Sequence, residues 1–118
     1  TGFGLLGHAS EMARGAGVQI VIEKNEVPVF EGARRHAEAG VKTGASGRNW
    51  ESVSHMVSGQ MSEMETDILC DPQTSGGLLV SCAPYAARAV LDIFAQHGHL
   101  GAAIVGRVEA GPAGVCIA

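Results

Sequence analysis

Thr1-Gly2-Phe3-Gly4-Leu5-Leu6-Gly7-His8, followed downstream by Val18-Gln19-Ile20-Val21-Ile22-Glu23, is the stretch whose reading decides the fold. Gly2, Gly4 and Gly7 spell G-x-G-x-x-G, and Glu23 falls about 20 residues on, where a dinucleotide fold places its ribose-binding acid. That fold also needs a strand before the glycines and βαβ units after them. No strand precedes Gly2 in this chain, and no βαβ repetition follows. The glycines instead open a helix over about Gly4 to Arg14. Leu5, Ala9, Met12 and Ala16 recur at the three- and four-residue spacing of a buried stripe. Gly15 and Gly17 supply the stop. Val18, Ile20 and Ile22 then share one face of a strand.

Further along, Lys24-Asn25-Glu26 reads as a turn, and Pro28 keeps Val27 extended. Phe30 to Ala39 reads as a helix with Ala33 and Ala37 inward and Gly40 as its cap. Thr43 to Asn49 is small, polar and aperiodic, which predicts a loop. Asn49 can cap a short helix over about Trp50 to Val57. Ser62-x-x-Glu65 is a capping box for another short helix ending near Leu69. Leu78-Leu79-Val80-Ser81-Cys82 is the pattern of a strand buried on both faces. Pro84 opens what reads as the longest helix, with Ala87, Val90, Leu91 and Phe94 inward and Gly98 at its end. Ala102 to Val108 and Gly114 to Ile117 complete a set of four strands, with Gly111-Pro112 as a hairpin turn. The expectation is a single-domain α/β (α+β) sandwich over residues 1–118, with a mixed sheet of about four strands packed with helices.

Composition narrows the function. The 118 residues are 46% hydrophobic and 17% charged, enough apolar surface for a packed core. A net charge of −4 and 4% aromatics argue against a nucleic-acid partner. No run of about 18 apolar residues and no signal peptide are present, so no membrane partner and a cytoplasmic location are expected. Three widely spaced cysteines lack any C-x-x-C pair. Cys82 and Cys116 read as buried small hydrophobes. The five histidines do not cluster, so no metal ligand set is assigned. His97-x-His99 reads as a solvated helix end, and His8 as a partly buried polar group.

Glycine makes up 17 of 118 residues, about twice the ordinary share of about 7%. Asp71-Pro72-Gln73-Thr74-Ser75-Gly76-Gly77 concentrates turn residues, two hydroxyls and two glycines able to take positive φ. Such a loop can form an anion-binding nest. It is not a Walker A loop, because no Lys follows. Gly44 to Asn49 is a second candidate, in which Arg48 could pair with a phosphate. Thr74, Ser75, Gly76 and Gly77 are the expected phosphate contacts, with Gly2, Gly4, Asn49 and Asp71 lining the same cleft.

On Thr1-Gly2-Phe3-Gly4-Leu5-Leu6-Gly7-His8 and Asp71-Pro72-Gln73-Thr74-Ser75-Gly76-Gly77-Leu78-Leu79, the chain resembles the selenophosphate synthetase (selenide, water dikinase) family along essentially its whole length. Glu11 to Gly15, Ala39-Gly40-Val41, Arg48-Asn49 and Ile104 to Val108 support the likeness. The resemblance implies the fold of the C-terminal domain of aminoimidazole ribonucleotide synthetase-related proteins. It implies a two-domain, cytoplasmic and homodimeric parent that converts ATP, selenide and water to selenophosphate, AMP and phosphate with Mg2+. The reactive Cys or selenocysteine and its Lys partner belong to the N-terminal domain, which this chain lacks. No catalytic residue is therefore expected here, and the chain alone is expected to be inactive. Cys70 does not match the family's nucleophile. A related ATP-dependent enzyme with another acceptor, a dinucleotide module and a purely structural brace are the rival readings.

Overall fold

A computed structural model describes residues 1–118. The elements run α1 (Gly4–Ala16), β1 (Gln19–Ile22), α2 (Glu31–Glu38), α3 (Gly44–Val53), β2 (Val57–Ser58), α4 (Glu63–Leu69), α5 (Ala87–Gln96), β3 (Gly106–Glu109) and β4 (Gly114–Ile117). Single 3-10 turns occupy Lys24–Glu26, Ser54–Met56 and Pro84–Ala86. The four strands form one sheet in the order β2-β4-β1-β3. β4 runs parallel to both β1 and β2, and β3 runs antiparallel to β1. The sheet is mixed and the fold is α/β.

The core follows from the apolar pattern of the first and last elements. Leu6, Ala9 and Ala13 of α1 lie three and four residues apart, on one helical face, and are fully buried. They pack with Ile20 and Ile22 of β1, Val115 and Ile117 of β4, and Val53, Leu69 and Cys70. Gly17, in the left-handed conformation at φ +66°, ends α1. The capping box of α4 forms as its spacing predicts: Glu65 N–H donates to Ser62 Oγ at 3.2 Å, and Ser62 N–H donates to Glu65 Oε2 at 2.7 Å. Lys24 reaches the same carboxylate at 3.0 Å and ties the turn after β1 to α4.

Several elements depart from the sequence expectation. Leu78–Cys82 pairs with no strand; Leu78 is 81% exposed, Val80 is 50% exposed and Cys82 lies on the surface. The run joins neither edge of the sheet, and only Leu79 packs partly against the core. The fourth strand is instead β2, which begins where the sequence reading ends a helix, at Val57. The region expected to be a loop, Thr43 to Asn49, lies in α3 from Gly44 onward. Its helix propensity is poor, but Ser46 is buried and α3 packs on α1, so tertiary contact overrides propensity.

Other departures are smaller. Val21 is buried along with Ile20 and Ile22, so β1 is covered on both faces. β3 and β4 do not form a hairpin, because they flank β1 on opposite sides. β3 also starts at Gly106 rather than Ala102. α1, not the helix after Pro84, is the longest. Neither α2 nor α5 buries a residue, so their expected inner stripes lack a full cover.

Candidate functional site

Asn49 organises the site, and it does so from the middle of α3 rather than from a cap. Its Nδ2 donates to the carbonyl of Gly2 at 2.7 Å and to the carbonyl of Cys70 at 2.9 Å. One amide thus joins the first glycine motif to the residue that leads into Asp71-Pro72-Gln73-Thr74-Ser75-Gly76-Gly77. Gly4 makes the approach possible. At φ +73° it lies so close to Cys70 that a Cβ would sit 2.7 Å from the Cys70 carbonyl carbon. Only glycine fits both the conformation and the space. Gly2, at φ +84°, faces Pro72 across 3.8 Å, measured from the position its Cβ would take.

Gly2, Gly4, Asn49 and the start of the Asp71 loop are therefore brought together. Asp71 is half-buried, and burial raises its carboxyl above the ordinary carboxylate range. Cys70 is fully buried, and desolvation, with a smaller contribution from Asp67, pushes its thiol up to about 11. A thiol so held is a poor nucleophile.

Thr74, Ser75, Gly76 and Gly77 project beyond this knot and are exposed. The left-handed residue here is Ser75, at φ +58°, and neither Gly76 nor Gly77 takes positive φ. The expectation for the two glycines is corrected on this point. Gly76 instead leaves room for Gln73, whose Oε1 would lie 2.8 Å from a Cβ at that position. A left-handed residue inside a polar loop is the ingredient of a backbone nest, and its two hydroxyls face solvent.

The second candidate segment is helical, so Gly44 and Gly47 form no loop at this site, and Arg48 lies exposed on α3 beside Asn49. Glu23, the acid that a dinucleotide site would need, is held by Arg107 Nη1 at 2.6 Å. His8 is drawn into a chain of contacts at the motif's edge: Thr1 Oγ1 lies 2.6 Å from Nε2 and Glu11 lies 3.2 Å from Nδ1. The i, i+3 spacing of His8 and Glu11 on a helix was the signal available in the sequence. The double grip of Asn49 had none, because its two acceptors are backbone atoms distant in sequence.

Among known proteins, the family model for AIR synthase related protein, C-terminal domain, matches residues 1–118. The chain belongs to this family. It is 48% identical to the selenide, water dikinase of Pseudomonas straminea over 113 residues, which are 94% of this chain and 32% of that protein. It is 41% identical to that of Dechloromonas aromatica (strain RCB) over 117 residues, 98% of this chain and 34% of that protein. For Burkholderia pseudomallei (strain K96243) the figures are 45% over 117 residues, 98% and 33%. The chain spans about a third of the length of the curated relatives it matches. No helix is long and apolar enough to cross a membrane.

Proposed function

We propose that this chain is the C-terminal domain, residues 1–118, of a selenide, water dikinase. In that role it forms one wall of the cleft in which ATP, selenide and water become selenophosphate, AMP and phosphate. Its partner across the cleft is the protein's own N-terminal domain, within a cytoplasmic homodimer. The observation that carries the cleft reading is the Asn49 bridge, which holds Gly2 against Cys70 and fixes where the Thr74–Gly77 loop departs.

Phosphoryl transfer asks a protein chiefly for positioning and charge neutralisation. Thr74 and Ser75 offer hydroxyl donors, and the backbone around the left-handed Ser75 offers N–H groups to a phosphate or product anion. Gly2, Gly4, Asn49 and Asp71 line the base of the same wall. No three His, Cys, Asp or Glu side chains of this chain converge on a point that could hold a metal. No magnesium ligand is assigned within this chain, and no step is routed through the ion. Nor is a nucleophile assigned here, since Cys70 is sealed in the core and raised by burial.

The uncovered apolar side chains Leu78, Val80, Tyr85, Leu100 and Ile104 support the view that a further domain covers part of the 78–104 segment. The test of the cleft is the double substitution Thr74→Ala with Ser75→Ala in the full-length protein. ATP turnover is expected to fall at least tenfold with the fold retained. Unchanged turnover would remove the loop from the site.

A further inference from the structure

β3 closes one end of the sheet, and its outer side is open. Glu23 N–H donates to the Val105 carbonyl at 2.9 Å, and the register sets Val21 against Arg107 and Gln19 against Glu109. In an antiparallel ladder alternate residues bond to the partner strand. Val105, Arg107 and Glu109 therefore spend their backbone groups on β1, and Gly106 and Val108 turn theirs to the open side. Charge does not guard this edge in the usual way. Arg107 reaches back to Glu23 and along its own strand to Glu109. Val108, on the open edge, is 48% exposed.

The same chain holds an unused strand. Leu78–Cys82 has no ladder partner, and it carries apolar residues on both faces, as strands of parallel sheets do. β2, the other edge of the sheet, is only two residues long. Residues 83–105 join Leu78–Cys82 to β3, a stretch longer than the dozen or so residues that a parallel crossover needs. It contains α5, whose Val90, Leu91 and Phe94 share one face and are only half-buried. α5 packs closely only on the 3-10 turn that precedes it. Strand-like run, amphipathic helix and open-edged strand are the parts of a βαβ unit, present but not assembled.

We propose that residues 78–104 are a strap that closes on the β3 edge when the further domain docks. In the closed state Leu78–Cys82 adds to the sheet beside β3 and parallel to it, and bonds to the free backbone groups of Gly106 and Val108. α5 forms the right-handed crossover and covers one face of the added strand. The strap is open in this chain for a physical reason. A strand with apolar residues on both faces needs cover on both. α5 supplies one cover, while α1 packs closely on β1 and β4 rather than on β3. The second cover therefore comes from outside residues 1–118. The inference rests on the reading of a further domain given above and deepens it, because docking is then coupled to the Thr74–Gly77 loop. Asn49 holds the start of that loop through the Cys70 carbonyl. Closure holds its end at Leu78, so the loop is tethered at both ends only in the closed state.

Hydrogen exchange of the full-length protein, read by mass spectrometry, tests the strap. The 78–82 backbone is expected to exchange at least about tenfold more slowly than an open segment. Val108→Pro removes the N–H on the open side and leaves the bonds to β1 in place, since proline is tolerated on an edge whose N–H faces outward. It is expected to return 78–82 to fast exchange, and Val108→Thr is expected to leave the protection intact. Fast exchange in the wild type overturns the strap. Protection that survives Val108→Pro overturns it as well, and assigns the cover of 78–82 to the further domain without β3. A second measurement serves if Val108→Pro does not fold. Leu79→Cys, Val80→Cys and Ser81→Cys are each combined with Val108→Cys, oxidised, and the linked peptides identified by mass. A disulfide to position 108 is expected from one of the three, and its absence from all three overturns the closed pairing. Turnover enters none of these readouts. Failure of the strap is thus distinct from failure of the cleft, which Thr74→Ala with Ser75→Ala reads.

Discussion

At the residue scale, Asn49 and Gly4 show how a site can rest on backbone groups. Asn49 spends its amide hydrogens on two carbonyls from segments 68 positions apart, Gly2 and Cys70. Asn49→Ala leaves both partly buried acceptors without their donor, and is expected to lower stability by about 2 kcal/mol in urea unfolding. Asn49→Asp is expected to do more damage at pH 7, because a carboxylate would face two carbonyl oxygens and can donate to neither. If Asn49→Asp proved as stable as wild type, the bridge would not hold the motifs together. Gly4→Ala would meet the Cys70 backbone directly, so this contact tolerates no side chain. Gly2 and Gly4 serve the approach to Pro72 and Cys70, and Gly7 packs against Phe3, where the dinucleotide template would have used these glycines for a pyrophosphate.

At the scale of elements, the capping box of α4 gives the chain a pH-sensitive joint. Glu65 accepts from the Ser62 backbone and from Lys24, which together hold its carboxyl below the ordinary 4.5. The sign follows from linkage. A carboxylate with a lowered folded pKa contributes stability that is present above its unfolded value and lost as the pH falls through the folded one. Glu65→Ala is expected to cost about 1 kcal/mol at pH 7, the usual worth of a cap. The gap to wild type should narrow steadily below pH 4.5. A gap that does not change with pH would show that the carboxylate's charge plays no part. Helix α3 illustrates the opposite case, in which local signals mislead. Its glycines and serine argue for a loop, yet those small residues are what allow α3 to lie against α1, where Ser46 is buried.

At the scale of the whole molecule, the surface is too large for the chain. Its accessible area is 7551 Å2, against about 6,000 Å2 expected for a folded 12.1 kDa protein. The excess lies on one stretch: the buried residues fall in the segments before Asp71 and after Ala113, and none between. Leu78, Tyr85 and Leu100 are more than 80% exposed within it. Leu78→Asp is therefore expected to change the stability of the isolated chain by less than about 0.5 kcal/mol, as for an ordinary surface site. In the full-length protein the same substitution should destabilise by about 2 kcal/mol or more, by burying a charge. Equal small effects in both would mean that nothing covers Leu78.

Much of this was legible in the sequence, for physical reasons that stop at a definite point. Local patterns carried the first helix and its Gly17 stop, the β1 strand, the Ser62–Glu65 box and the mixed α/β class. Each depends on neighbours within one turn or on the two-residue alternation of a strand. The specificity of Asp71 to Leu79 also pointed to the family. Tertiary structure alone decided the rest. Leu78–Cys82 has the composition of a buried strand, but a strand exists only when another chain segment completes its hydrogen bonds, and none within residues 1–118 does. Asn49 could have capped a helix; packing on α1 put it inside one and turned its amide toward Gly2 and Cys70. His8 could have been an idle polar group, until the fold set Thr1 on one of its nitrogens and Glu11 on the other. Sequence fixes what each residue can donate, accept or bury, whereas pairing partners distant in the chain are chosen by the fold.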